Sequence, residues 1–180
     1  MSESRRILIL GASGCGTSTL GRALATKLGV FHGDSDDYFW KPTDPPFETP
    51  RPTAEREDLL EADLERHRSF VLSGSYCGWA DYVAPHLSHA VFLRANTQIR
   101  SDRIAQRESA RFGESAIAPG GVHYEKFRAF LAWAQSYERG GVSRTLAIHE
   151  AWLEQLKCSV LRLQSDLPVA DLLERVLQSL

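Results

Sequence analysis

Residues 11–18 read Gly11-Ala12-Ser13-Gly14-Cys15-Gly16-Thr17-Ser18, preceded by Ile7-Leu8-Ile9-Leu10 and followed by Thr19 and an amphipathic run. Four apolar residues stopped by a glycine predict a short strand buried on both faces of a parallel sheet. From Ser18 to Leu28 the apolar residues Leu20, Ala23, Leu24 and Leu28 share one helical side, and Gly29 is placed to cap the helix. Between strand and helix, the glycines let the backbone curl so that successive N–H groups point into one concavity, and the helix start adds its partial positive charge. Such a turn holds an anion, phosphate above all.

Outward from this turn the chain alternates. Further strands are expected around Val30–His32, Phe70–Leu72, Ala90–Leu93 and Ser159–Leu163. Helices are expected at Thr53–His67 with Leu60 and Leu64 inward, from Asn96 or Thr97 to Arg111, and at Tyr124–Tyr137, Thr145–Lys157 and Leu167–Leu180. Trp40 to Pro52 carries five prolines and is read as an ordered loop over the substrate side. Strand alternating with helix predicts an α/β fold of three layers, with about five parallel strands flanked by helices. The 180 residues suffice for one such domain, and the segment near 98–123 is expected to form a small helical lid.

The formal charge is 21 minus 23, or −2, so no overall basic surface points to nucleic acid or an anionic membrane. Phosphate affinity must therefore come from a local site. Three cysteines without CxxC spacing, Cys15, Cys77 and Cys158, argue against a disulfide framework or a structural zinc site. The apolar run after Met-Ser-Glu-Ser-Arg-Arg is too short for a signal peptide or a membrane span, and a cytoplasmic protein, monomer or homodimer, is expected.

The spacing of residues 11–18 is GxxxxG, one residue, then a hydroxyl, which is the P-loop pattern. Gly11, Ser13, Gly14, Cys15, Gly16, Thr17, Ser18 and Thr19 are the expected nucleotide-binding residues, with the Ser18 hydroxyl where it would ligate Mg²⁺. The pattern calls for lysine at position 17, and this chain has Thr17. Four arginines, Arg100, Arg103, Arg107 and Arg111, recur at spacings that put them on one helical face, where a polyphosphate would neutralise them; a solvated, salt-bridged helix is the alternative. Asp34, Asp36 and Asp37 follow the second strand, where an open α/β sheet gathers its ligands, or else form a solvated acidic turn. Tyr38, Phe39 and Trp40 read equally as pocket wall or core. His149 reads as a packed core histidine. Cys15 sits near a helix N-terminus, a setting that lowers a thiol pKa, although a small filler is the plainer role.

The run GASGCGTSTLGRALATKLG resembles the opening of P-loop kinases of the adenylate-kinase and shikimate-kinase type. Asp36-Asp37-Tyr38-Phe39-Trp40 and Ser73-Gly74-Ser75-Tyr76 resemble segments of small bacterial ATPases of the adenylate-kinase-like, DNA topology modulation type, over most of residues 5–112. That group usually has lysine in the loop and often Asp-Gly-Asn-Tyr after the third strand, so Thr17 and Ser73 depart from it. The resemblance implies Mg-ATP on Gly11–Thr19, Mg²⁺ near Ser18 and Asp34, and Asp36 orienting an acceptor hydroxyl. It also implies that Arg103, Arg107 and Arg111 close over the phosphates. The activity it implies is phosphoryl transfer from ATP to a small molecule; a nucleotide-binding regulator or slow ATPase is the alternative that Thr17 favours.

Overall fold

In the computed structural model, which describes residues 4–180, the chain forms five parallel strands with helices on both faces. The first three residues, which precede the apolar run read as too short for a signal peptide, lie outside the described residues. The strands are β1 (Arg6–Gly11), β2 (Phe31–Asp34), β3 (Phe70–Ser73), β4 (His89–Arg94) and β5 (Ser159–Gln164), in the order β2-β3-β1-β4-β5. The helices are α1 (Thr17–Leu28), α2 (Ser35–Phe39), α3 (Thr53–Arg66), α4 (Thr97–Phe112), α5 (Glu114–Ile117), α6 (Tyr124–Gln135), α7 (Leu146–Leu153) and α8 (Val169–Ser179). Asp81–His86 adds a 3-10 turn. This is the three-layer α/β architecture expected from the alternation. Among the described residues no helix is long and apolar enough to cross a membrane.

The pleat sorts β1 into two cores. Ile7 and Ile9 pack with Leu20, Leu24, Leu172 and Val176 under α1 and α8, whereas Leu8 and Leu10 pack with Leu60, Phe92 and Trp152 under α3 and α7. Both faces are covered, which explains why β1 reads as a continuous apolar run. The chain continues from β1 toward β2 on one side and β4 lies on the other, so the loop after β1 sits at the switch point of the sheet.

Three boundaries differ from expectation in ways that bear on the site. The second strand ends at Asp34, because parallel pairing with β3 continues to the Asp34–Ser73 pair. Asp34 to Asp37 is not a turn: the Asp34 carboxylate accepts from the Asp36 N–H at 3.1 Å and caps the five-residue α2. The helix expected over Thr145–Lys157 is shorter, Leu146–Leu153, capped by the Thr145 hydroxyl.

The first half of α4 is packed against the phosphate loop. A Cβ on Gly14, whose φ is +85°, would meet the Arg100 carbonyl oxygen at 2.6 Å, whereas one on Gly16, φ +87°, would meet nothing within 4 Å. Gly16→Ala therefore carries only left-handed backbone strain, about 1–2 kcal/mol. Gly14→Ala adds a collision with helix backbone and should cost about 1 kcal/mol or more beyond that, read as the difference in urea unfolding free energy. Equal losses would show that α4 yields to the added methyl.

Candidate functional site

A single cavity of about 1030 Å³ opens at the carboxyl ends of the strands and joins the phosphate loop to the acidic segment after β2. Gly11, Ser13, Gly14, Gly16, Thr17, Ser18 and Thr19 all line it. Gly16 in the left-handed region begins α1, and the first intrahelical N–H bond runs from Leu20 to the Gly16 carbonyl at 3.0 Å. The N–H groups of Thr17, Ser18 and Thr19 therefore have no helical acceptor and are available to a ligand. No side chain of the Gly16 cap competes for them.

Cys15 departs from expectation. Its side chain is buried in the core, its N–H bonds the Ala12 carbonyl at 3.0 Å, and it is absent from the cavity wall. Burial pushes the thiol pKa up despite the nearby Arg100 charge, and the side chain fills the core, the plainer of its two expected roles.

The acidic segment splits into roles. Asp34 is held by the Ser73 hydroxyl at 3.1 Å, itself 2.9 Å from His32 Nε2. Asp36 faces the cavity, where burial raises its carboxyl pKa, Asp34 adds to the rise, and Arg144 and Arg107 oppose it. Tyr38 belongs to the core and bonds Asp63, while Phe39 and Trp40 line the cavity. Tyr76 is fully buried, its hydroxyl donating to the Gly33 carbonyl at 3.2 Å.

The four α4 arginines share a face but not a fate. Arg100, 1% exposed, is spent on Glu138 at 2.6 Å and on the Ala134 carbonyl at 2.9 Å, so it cannot serve a ligand. Arg103 donates to the Gly14 carbonyl at 3.3 Å and to Ser165, Oγ at 2.8 Å and carbonyl at 2.6 Å; it braces the loop from the edge of the cavity. Arg107 and Arg111 share the buried carboxylate of Glu108, each at 3.1 Å. Arg111 also stands 4.6 Å over the Phe47 ring, which ties the proline-rich loop to α4, and Lys126 pairs with Glu48 to tie it to α6.

Two groups that shape the site escaped the sequence reading, one lining the cavity and one behind the loop. Arg144 lies in the loop before α7, close enough to Asp36 for its charge to act there, with its guanidinium 5.5 Å from the Phe39 ring centre. Arg56 covers the same ring at 3.8 Å, and neither arginine has a carboxylate within 4 Å among the described residues. No periodicity announces Arg144, since it follows an irregular Gly-Gly-Val-Ser stretch. Ser165 is the other: it receives Arg103 and donates to the Cys15 carbonyl, with only its place after β5 as a signal. His149 is a packed histidine as read, but it also faces the cavity, 3.1 Å from Ser75 Oγ and 2.9 Å from the Tyr137 hydroxyl.

Ser18 and Asp34 both line the cavity and offer hard oxygen donors, and no group of three or more His, Cys, Asp or Glu side chains arranged for a metal occurs among the described residues. That donor set suits Mg²⁺, which takes one or two protein oxygens and completes its shell with water and phosphate.

Comparison with known proteins agrees with this geometry. A family model described as "AAA domain" matches residues 7–116. The Bacillus subtilis (strain 168) protein described as "Uncharacterized protein YqaC" is 41% identical over 177 residues, 98% of this chain and 97% of that one. A cytidylate kinase of Natronomonas pharaonis is 32% identical over 113 residues, 57% of this chain and 58% of that protein. Among solved structures, shikimate kinase from Acinetobacter baumannii superposes with a TM-score of 0.57 at 16% identity, covering 98% of this chain and 92% of that one. A gluconokinase from Sinorhizobium meliloti 1021 gives 0.50 at 19% identity, with 97% and 90% covered.

His149 sets a pH limit on the fold. Burial, helped by Arg144, lowers its pKa from 6.5 to about 4, so it is neutral when folded and takes a proton on unfolding below its ordinary value. Its contribution is present above pH 6.5 and lost as pH falls toward 4, about 3 kcal/mol at most. Asp36, with a raised pKa, runs the other way across the acid range. Wild-type unfolding free energy should fall between pH 7 and pH 4.5, and His149→Asn should flatten that slope. An unchanged slope in the variant would assign the titration to another group.

Proposed function

Because the chain belongs to the AAA domain family and has the fold of the small-molecule P-loop kinases, we propose that it transfers the γ-phosphoryl group of Mg-ATP to a hydroxyl of a small anionic metabolite. The supporting observation is the joined cavity. Unpartnered N–H groups of α1 stand at one wall, the Asp36 carboxyl at another, and two arginines without carboxylate partners flank Phe39 beside it.

The phosphates rest on the loop and on the N–H groups of Thr17, Ser18 and Thr19. Ser18 directly, and Asp34 through water, would hold Mg²⁺, which would supply positive charge beside the phosphates. Asp36 orients the acceptor hydroxyl and takes its proton as the oxygen attacks the γ-phosphorus and the bond to the leaving ADP oxygen breaks. Its raised pKa brings it closer to the range in which a general base both exists and accepts. An acceptor phosphate or carboxylate pairs with Arg144, with Arg56 behind the same ring, while Trp40 and Phe47 wall the pocket. The cavity volume sits at the upper end of the usual range for one ligand, about 300–1,000 Å³, which leaves space for nucleotide and acceptor together. Thr17 favours a second reading, a nucleotide-responsive binding protein without turnover.

The test is ADP release from Mg-ATP across a panel of phosphorylated and carboxylated hydroxy compounds. At least one should stimulate release about tenfold over the acceptor-free rate, Asp36→Asn should cut kcat by about 10²–10⁴ with ATP affinity kept, and Arg144→Met should raise the acceptor KM. ATP binding with no acceptor raising ADP release would transfer the case to the binding-protein reading.

A further inference from the structure

Ser75, Tyr137 and His149 all line the cavity, and the phosphotransfer chemistry uses none of them. They come from three parts of the fold: Ser75 follows β3, Tyr137 follows α6, and His149 lies on α7. All three are buried, Ser75 at 4% exposure and His149 at 1%. The imidazole joins them, with Nδ1 2.9 Å from the Tyr137 hydroxyl and Nε2 3.1 Å from Ser75 Oγ. Their place is the acceptor end of the cavity. Gly74 lies against Ser35, the residue before Asp36, and the Arg144 charge acts on both Asp36 and His149.

This row holds one hydrogen more than it can place. A neutral imidazole carries one N–H and one lone pair, and each hydroxyl carries one hydrogen. The ring is neutral, because burial first and Arg144 second lower its pKa to about 4. Tyr137 keeps its proton, because burial holds the phenol well above its ordinary pKa. Hydrogens from phenol, ring and serine therefore serve two hydrogen bonds, and one hydroxyl is left over. The partners assign the tautomer. A phenol is the stronger donor and the poorer acceptor of the two hydroxyls, so Tyr137 donates to Nδ1 and Nε2–H donates to Ser75 Oγ. The free hydrogen is then that of Ser75. Among the described residues its hydroxyl makes no bond besides that to His149; the Cys77 thiol, whose pKa Ser75 lowers against the larger effect of burial, is a weak partner. A buried donor left unpaired is costly, and the cavity is where a partner for it arrives.

We propose that Ser75 is a specificity-determining residue for the acceptor substrate: its hydroxyl donates to an oxygen of that molecule beside the hydroxyl held by Asp36. Tyr137 and His149 are positioning residues that set the direction of the donor. The inference rests on the phosphotransfer reading and adds to it a feature of the substrate class. Besides the attacked hydroxyl and the anionic group, the acceptor substrate carries a further oxygen with a free lone pair, such as a neighbouring hydroxyl. A buried O–H favours such an oxygen and rejects a methylene in its place, which would leave the donor unpaired.

The test has two arms. Nitrogen NMR of protein carrying isotope-labelled histidine, with no ligand added, should show His149 neutral with its proton on Nε2 at neutral pH. A proton on Nδ1 would overturn the assignment. Kinetics then use the phosphorylated or carboxylated hydroxy compound that most stimulates ADP release by wild type. Ser75→Ala should raise the KM of that compound about tenfold and leave the KM of ATP within about twofold. Tyr137→Phe should raise it about threefold in the wild-type background and add nothing beside Ser75→Ala, since its effect passes through that hydroxyl. Additive losses, an unmoved KM of the compound in Ser75→Ala, or equal shifts for ATP and compound would overturn the assignment alone. A wild-type protein that no compound stimulates overturns the phosphotransfer reading and the assignment with it, an outcome visible before any variant is compared.

Discussion

The close approach of Gly14 to the backbone of α4 is the contact on which the site depends. No side chain fits there, and the left-handed φ of Gly14 is tolerated because glycine has no Cβ. From behind, the loop is held by Arg103 on the Gly14 carbonyl and by Ser165 on the Cys15 carbonyl; in front, Gly16 leaves open space. Arg100 keeps α4 in place by a buried pair with Glu138, which follows α6, and by the Ala134 carbonyl within it. Such a pair is costly to break, because removal of one partner strands a charge out of water. The rigidity of the loop thus originates in residues far from it in sequence: a serine after β5, an arginine on α4 and a glutamate after α6.

Charge inside the cavity is divided by position. Asp34, Asp36 and Asp37 lie on the β2 side, Arg107 and Arg111 on the α4 side, and Arg144 beyond Asp36. Glu108 keeps two α4 arginines from repelling each other, yet one carboxylate cannot neutralise two guanidinium groups, and a net positive wall is left for an anion. A chain of formal charge −2 can therefore offer a strongly basic local surface without being basic overall.

Much of the fold was legible because its signals are local. Ile7–Leu10 could hardly be other than a buried strand, and Gly11, Gly14 and Gly16 specify a curl that few other residues permit. The helical spacing of Arg100, Arg103, Arg107 and Arg111 gave the correct face. It could not reveal that the face runs from buried to open along the helix, so Arg100 is core and Arg107 is not. Cys15 was open to two readings because a helix start lowers a thiol pKa and burial raises it, and only packing decides between them. Arg144 left no trace and Ser165 only its place after β5, since neither lies on a periodic element.

An anion site does not need the lysine in order to exist. Three N–H groups at the start of α1 lack helical acceptors, and their attraction for phosphate comes from the backbone, whatever residue occupies position 17. What a lysine adds is a mobile charge that can follow a phosphoryl group as its charge redistributes. A guanidinium on α4 is held differently: its location is set by helix packing on Gly14, and its donors are fixed in a plane. The loop and α4 are coupled through that contact, so a substitution that loosens α4, even at buried Arg100, would reach the loop that offers those N–H groups.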